Sequence, residues 1–218
     1  GVRAYALDRG SMLSGGPANA VGFTIPLAGL GDSYSLVAAT FRTGDPPPAG
    51  RDEFLLAIDS PATGGVTLTQ VKGWLFHVNF AGGSTLGIGA NHSPNSLITV
   101  NGFVDAFSNA AGFSIVPQQG TNDKIQTLGD KIMTPVVYQN LNGTESLWAS
   151  GTVCTDANCV GPTGVRWYQF NVTGGTFPAT PVQQQTWTNN SDGVWRFMPS
   201  IGVDSCGDAA IGYSSSRG

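Results

Sequence analysis

Short runs of β-branched and aromatic residues, bounded by glycine, proline, asparagine or aspartate, recur along the whole chain and constrain its fold more than any other feature. We assign strands to residues 33–41, 53–60, 73–80, 132–140, 145–153, 164–172 and 209–216. No window sustains an amphipathic helical stripe, and the best helix candidate, near residue 11, is cut short by Gly15, Gly16 and Pro17. The sequence therefore predicts an all-β protein.

Composition sets the outer limits of function. Only 11% of the 218 residues are charged, and glycine and proline number 31 and 13, which is typical of short segments joined by many turns. The net charge of −4 argues against nucleic-acid binding, which needs a basic surface to displace counterions. Since no stretch of about 18 apolar residues occurs, we expect no membrane span.

Several features predict an extracellular or cell-surface glycoprotein. Lysine and glutamate are scarce, whereas serine, threonine, asparagine and glycine are abundant. Four N-x-[ST] triplets are candidate glycosylation sites, at Asn91, Asn142, Asn171 and Asn189. The chain begins without methionine, so we expect either that a leader was removed or that the true N-terminus lies elsewhere.

The three cysteines fit the same compartment. Cys154 and Cys159 bracket the turn-forming tetrapeptide TDAN, and a hairpin of that length brings two Cα atoms within disulfide range. We predict a disulfide between them, with two unlinked thiols as the alternative. Cys206 is left over, either free or paired with chain outside this sequence.

The predicted strands fall into repeating units. From residue 132 onward they follow as a series of four, and a new unit begins near residue 196. Four-stranded antiparallel meanders in series are what a β-propeller is made of. We therefore predict a partial propeller of about three blades that starts and ends in mid-blade. Its boundaries are 1–31 for the end of one blade, 32–115 for a second with a long insertion, 116–188 for a third and 189–218 for the start of a fourth.

Particular motifs support this interpretation. LGDKIMTPVVYQNLNGTESLWASGTV, the following GVRWYQF, and WRFMPSIGVDSCGDAAIGYSSS are similar to repeat elements of a family of large secreted bacterial β-propeller proteins of uncharacterised function. RAYALDRGSML, PPPAGRDEFLLAID and GWLFHVNF also resemble parts of such proteins. The likeness covers most of the chain apart from residues 81–115. The resemblance implies an extracellular propeller fold and no established activity.

Three blades are too few for a closed propeller, which typically has four to eight. We therefore expect this sequence to be an interior segment of a larger propeller, completed by missing blades of the same polypeptide or by neighbouring chains. The alternative is a complete small β-sandwich.

We predict no catalytic residue. Glu53 and Glu145, the two glutamates, both lie near turn-forming sequence, where we interpret them as solvated turn residues. Asp130 lies beside a predicted inner strand and is a candidate for lining a central channel. Arg166 and Tyr168 share one strand face; a ligand-binding role is open, although packing between blades is the simpler interpretation.

A calcium site is the one cofactor that the sequence suggests. Asp204 and Asp208 lie in the turn DSCGD, and hard oxygen ligands on a tight turn suit that ion. The turn has too few ligands for a complete calcium loop, so the expectation is either calcium or no cofactor.

Three function classes stay open. We favour a secreted, non-enzymatic module for extracellular interaction or scaffolding, which displays loops such as 42–52 and 81–128 toward a glycan or an extracellular protein. A carbohydrate-active propeller enzyme, with its site mostly outside this segment, is the second. The third is a structural subunit of an extracellular filament or surface layer, in which unpaired strand edges join neighbouring chains.

Overall fold

The computed structural model describes residues 1–61, 66–106 and 114–218 of the chain. Within these ranges the protein has fifteen strands and two short helices, which confirms the all-β prediction. In chain order the elements are β1 (Val2–Leu7), α1 (Arg9–Leu13), β2 (Ala20–Ile25), α2 (Leu27–Leu30), β3 (Val37–Gly44), β4 (Glu53–Ala57), β5 (Thr67–His77), β6 (Thr85–Leu86), β7 (Ser96–Asp105), β8 (Ser114–Val116), β9 (Ile125–Gln126), β10 (Met133–Leu141), β11 (Thr144–Cys154), β12 (Thr163–Asn171), β13 (Gln183–Trp187), β14 (Trp195–Val203) and β15 (Ala209–Ser216).

Six strands close into a barrel in the order β10, β3, β4, β5, β7 and β11, with β10 and β11 completing the ring. The pairing of β10 with β3 is parallel and the other pairings in the ring are antiparallel. The long strand β11 pairs with β10 along its first half and reaches β7 through Val153 and Cys154. β12 and β13 continue the sheet from β11.

The three-blade propeller is not confirmed. Its local units exist, because β10 to β13 form a four-stranded antiparallel meander and β3 to β5 a three-stranded one. The two meanders do not pack as separate blades, however. The parallel pairing of β10 with β3 joins them edge to edge, and β7 closes the ring on the other side.

β7 lies inside the region 81–115, for which no strand was assigned from the sequence and which the family resemblance does not cover. Ile98 and Val100 are buried and alternate with exposed Leu97 and Asn101, the pattern of a strand with one buried face. The region 81–128 also contains β6, β8 and β9. The prediction that it forms a displayed loop is therefore wrong.

Alternate residues of the ring strands and of β12 fill the barrel interior. Phe54 and Tyr138 stack with ring centroids 6.2 Å apart, and Tyr168 stacks on Phe170. Leu56, Ile98 and Leu147 are fully buried in the same cluster. The barrel is thus a packed core, as expected for a closed sheet of this size.

Two hairpins cover part of the outer barrel surface. The β1–β2 hairpin lies over β4 and β5, where Phe23 contacts Phe76 edge to face at 5.6 Å. The β14–β15 hairpin packs over β10, β11 and β12, where Ile201 joins Val137 and Trp148. In the described ranges no helix is both long and apolar enough to cross a membrane.

Candidate functional site

Three consecutive charged residues, Arg51, Asp52 and Glu53, lie where strands β3 and β4 separate. The two strands pair only through Val37 with Leu56 and Ala38 with Leu55. Beyond these pairs the chain between the strands departs into the turn that ends at Arg51. The three side chains lie in different environments: Arg51 in a buried ion pair, Asp52 in a partly exposed pair with His77, and Glu53 at a cavity.

Arg51 holds Glu145 in a two-point ion pair. Its Nε and Nη2 donate to Oε2 and Oε1 of Glu145 at 2.8 and 2.6 Å, the geometry in which guanidinium binds carboxylate most strongly. The hydroxyl of Tyr138 donates to Oε2 at 2.6 Å, and the N–H of Gly174 donates to Oε1 at 3.3 Å. Both oxygens of Glu145 are therefore occupied.

Burial and ionic contacts act in opposite directions on Glu145. Burial works to raise its pKa, but the hydrogen bonds from Arg51 and Tyr138 outweigh this effect and hold the pKa below the usual value. The approach of Arg51 also requires Gly175, which has a φ of 81° and where a Cβ would lie 2.1 Å from Nη1 of Arg51. The prediction that Glu145 is a solvated turn residue is wrong, since only 2% of it is exposed.

Asp52 pairs with His77 at the barrel end. The Oδ1 of Asp52 lies 2.8 Å from the Nδ1 of His77, and the side chains are 31% and 48% exposed. The hydrogen bond orients the imidazole, and nearly half of the His77 side chain stays exposed. The pair is thus accessible, in contrast to the ion pair of Arg51 and Glu145.

Glu53 begins β4 and faces a cavity. Partial desolvation of its carboxyl group by the cavity walls raises the pKa of Glu53 to about 7, although the residue stays exposed to solvent and backbone hydrogen bonds from Ala39 and Phe54 act to lower the pKa. Within the described ranges no cation forms an ion pair with it. The sequence interpretation of Glu53 as a turn residue is wrong, because it begins a strand and lines a cavity, whereas its predicted exposure is confirmed.

The cavity has a volume of about 530 Å³ and lies between β1 and the outer surface of β3, β4 and β5. Its floor is apolar, and Glu53 is the acidic residue among the described residues that line it. The remaining lining residues are Arg3, Ala4, Tyr5, Ala6, Leu7, Leu36, Ala38, Leu55, Phe76, Val78 and Phe80. This combination of an apolar surface with a few polar groups is typical of a ligand pocket.

The residues predicted for a channel or ligand do not meet at this cavity. Arg166 donates to the carbonyl oxygen of Asn101 at 2.8 Å and to the hydroxyl of Thr186 at 2.7 Å, so it ties β7 to β12 and β13. Tyr168 shares its strand face, as predicted, and lies in the barrel core, where burial raises its pKa to about 12. Their contacts agree with a packing role.

Asp130 is also buried, with 2% exposed. Its Oδ1 lies 3.6 Å from the Nζ of Lys131. Burial raises the pKa of Asp130, and Lys131 opposes that shift. The interior of the barrel is filled with side chains, so Asp130 does not line an open channel through it.

The turn predicted to hold calcium is stabilised by its own hydrogen bonds. Oδ1 of Asp204 accepts the N–H groups of Cys206 and Asp208 at 2.8 and 2.9 Å. Across the described chain no three histidine, cysteine or acidic side chains group as metal ligands would. The calcium site stays a prediction.

The cysteine prediction is confirmed: Cys154 and Cys159 form a disulfide, and Cys206 is exposed and free. The four asparagines of the N-x-[ST] triplets are all exposed, namely Asn91, Asn142, Asn171 and Asn189. Exposure is necessary for glycosylation, so all four remain candidates.

Comparison of the chain with protein-family models, curated proteins and solved structures finds no match. Sequence reasoning missed the cavity because its walls come from β1 and from β3 to β5, which are distant in the chain. The segment Arg51–Asp52–Glu53 was a usable signal, since three adjacent charges are unusual in a chain with 11% charged residues.

Proposed function

We propose that this protein is a non-catalytic binding module of an extracellular or cell-surface protein, and that the cavity beside β1 is its ligand site. The observation that carries the proposal is the cavity itself. Its volume of about 530 Å³ falls within the roughly 300–1,000 Å³ of ligand pockets in proteins. Arg3 and Glu53 supply charged groups at an otherwise apolar surface.

The extracellular assignment rests on the disulfide and on the exposed N-x-[ST] sites. Disulfides such as Cys154–Cys159 persist mainly in oxidising compartments. The low content of charged residues, 11%, agrees with the same assignment. A longer polypeptide of the bacterial propeller type, to which the motifs bear a resemblance, is part of this proposal.

Binding is favoured over glycoside hydrolysis because of the carboxylates. Hydrolysis of a glycosidic bond uses two carboxyl groups on opposite sides of the bond. Glu145 is fully engaged by Arg51 and Tyr138, and Asp52 is engaged by His77. Among the described residues that line the cavity, no second carboxyl group accompanies Glu53, so the pair that hydrolysis needs is not present there.

The test is a cavity-filling substitution. Ala38 is an exposed strand residue that lines the cavity, so Ala38→Trp places an indole in it. Ala210→Trp is the matched control, since Ala210 is an exposed strand residue on the opposite hairpin. Both variants and the parent are melted with a panel of mono- and disaccharides, free amino acids and short peptides.

We expect at least one class of compound to raise the Tm of the parent and of Ala210→Trp but not of Ala38→Trp, because ligands stabilise the state that binds them. A panel in which every compound acts equally on all three proteins would overturn the cavity as the ligand site.

One observation favours the structural-subunit alternative. In the described chain β1 and β13 each pair along one edge only, with β2 and β12 respectively. Free edges can join neighbouring molecules. Light scattering after size-exclusion chromatography distinguishes the two functions. We expect a binding module to be monomeric and a structural subunit to self-associate.

A further inference from the structure

Strand β1 presents one complete free backbone edge. The N–H of Asp8 donates to the carbonyl oxygen of Asn19 at 2.8 Å, which places the even-numbered residues of β1 in the hydrogen-bonded pairs with β2. The backbone groups of Arg3, Tyr5 and Leu7 therefore point away from β2. Three N–H and three C=O groups form a row along this edge.

No residue in the described ranges hydrogen-bonds to this row. The row borders the cavity, because five consecutive residues, 3–7, line it. One face of a strand presents only alternate residues, so five in succession means that the strand meets the cavity with its edge. An unsatisfied strand edge and an apolar cavity thus adjoin.

We propose that the cavity beside β1 binds an extended segment of another protein, which adds to the β1–β2 hairpin as a third strand. This inference rests on the proposed function and names its ligand class. The backbone of the added strand pairs with Arg3, Tyr5 and Leu7, and its alternate side chains enter the cavity. Main-chain bonds then provide affinity, and the side chains in the cavity provide specificity.

The lining residues define the chemistry of the bound segment. From Arg3 to Leu7 the edge is about 13 Å long at roughly 3.3 Å per residue, which accommodates about five residues. Side chains of the bound segment that enter the cavity contact Leu36, Leu55 and Phe76, so we expect them to be apolar. Glu53 lies among these lining residues and forms no ion pair with any described residue, so a lysine or arginine in the segment complements it.

A second copy of this chain fits the site less well. The inward side chains of β1 in that copy, Ala4 among them, already pack on their own barrel, with Ala4 7% exposed. They are therefore not available to fill this cavity. A separate extended segment has side chains free on both faces and can fill it.

The experiment uses a fluorescein-labelled peptide of eight residues in which valine alternates with threonine and one central valine is replaced by lysine, so that the lysine lies on the face that enters the cavity. Binding to the whole chain is followed by fluorescence anisotropy. In the control peptide, two of the residues whose N–H groups face β1 are N-methylated. This removes two backbone donors and leaves all side chains unchanged. We expect it to bind about tenfold more weakly or worse, since each hydrogen bond contributes about 1 kcal/mol.

Two protein variants test the same edge. Leu7→Pro removes one N–H group from the free edge of β1, whereas Thr24→Pro removes one from the opposite edge of the same hairpin. We expect weaker peptide binding by Leu7→Pro and unchanged binding by Thr24→Pro, with circular dichroism confirming that both fold. We also expect Glu53→Gln to weaken binding of the lysine peptide and not of the parent peptide that keeps valine at that position.

Three results would overturn the proposal. Equal binding of the two peptides would mean that the strand edge is not used. A dimer that Leu7→Pro dissociates and Thr24→Pro does not would mean that a second copy occupies the edge. If no peptide binds but small compounds still distinguish the parent from Ala38→Trp, strand addition is rejected and the cavity remains the ligand site. If neither peptides nor small compounds bind, the proposed function is rejected as well.

Discussion

The two glutamates of this chain show how differently one side chain is used in neighbouring regions. Glu145 is buried, and its two oxygens accept hydrogen bonds from Arg51, Tyr138 and Gly174. Glu53, two residues after Arg51, faces a cavity and has no ion pair within the described ranges. The pKa of Glu145 is lowered, whereas that of Glu53 is raised to about 7.

This difference supports a structural role for Glu145 and agrees with the proposed ligand role of Glu53. A carboxylate whose acceptor capacity is used by the protein itself stabilises the fold and offers nothing to a ligand. A carboxyl group with a raised pKa beside an apolar cavity is incompletely satisfied, and such groups concentrate at binding and catalytic sites. The comparison therefore assigns Glu145 to the barrel and Glu53 to the cavity.

The largest expected effect comes from breaking the ion pair of Glu145. Arg51→Met leaves a buried carboxylate without its cation, since the side chains of Arg51 and Glu145 are only 18% and 3% exposed. We expect the free energy of unfolding in urea to fall by about 3–5 kcal/mol. Arg42→Met is the control, because Arg42 is exposed and forms no ion pair among the described residues.

The double variant Arg51→Met with Glu145→Gln sharpens the result. If the loss comes from the unpaired charge, the double variant regains part of the stability. An additive loss would show instead that Arg51 and Glu145 act independently.

Tyr138→Phe is expected to have a smaller effect. It removes one donor to Oε2 of Glu145 and keeps the aromatic contact with Phe54. Arg51 still holds the carboxylate, so we expect a loss of about 2 kcal/mol, the contribution of a hydrogen bond to a charged group. A loss as large as that of Arg51→Met, measured by the same urea titration, would contradict this division of roles.

The two glutamates should act on stability in opposite directions with pH. Glu53 has a folded pKa of about 7 above its ordinary 4.5, so the folded state binds more protons in this window. Its contribution to stability is full below pH 4.5 and is lost as the pH rises through about 7. The lowered pKa of Glu145 makes its contribution full above the ordinary value and lost as the pH falls.

Glu53→Gln tests this sign. We expect it to remove the loss of stability between pH 4.5 and 7, with a change of about 1 kcal/mol or less because the side chain is partly solvated. The measurement is the free energy of unfolding of parent and variant at pH 4.5, 6 and 8. A parent whose stability increases by more than that of the variant over this range would contradict the raised pKa.

The local parts of this fold were predictable, and the long-range parts were not. Runs of β-branched and aromatic residues bounded by turn-forming residues located β3, β4 and β10 to β12, and the Cys154–Cys159 disulfide followed from a turn of four residues. The pattern of Ile98 and Val100 was also available in the sequence, although β7 was overlooked. A propeller blade and this barrel contain the same antiparallel meanders, so the local sequence pattern of the strands does not decide between the two folds.

The candidate site depends on contacts that no local pattern encodes. Arg51 meets Glu145 across 94 positions of the chain, and β1 packs on an outer surface that β3, β4 and β5 form together in the closed barrel. Both glutamates lie near turn residues in the sequence, which favoured the solvated interpretation. The barrel closure, and not the local sequence, decides which one is buried.

The smallest effect is expected at Asp52, between the two residues compared above. Asp52 pairs with His77 at 2.8 Å, but both side chains are partly exposed to solvent, and such exposed pairs contribute about 0.5 kcal/mol. Asp52→Asn should therefore change the free energy of unfolding by about that amount at pH 6, and by less in 1 M salt, where exposed charges are screened. If Asp52→Asn destabilised the protein as much as Arg51→Met, the charged segment 51–53 would be one structural network, and the separation of Glu53 as a ligand group would fail.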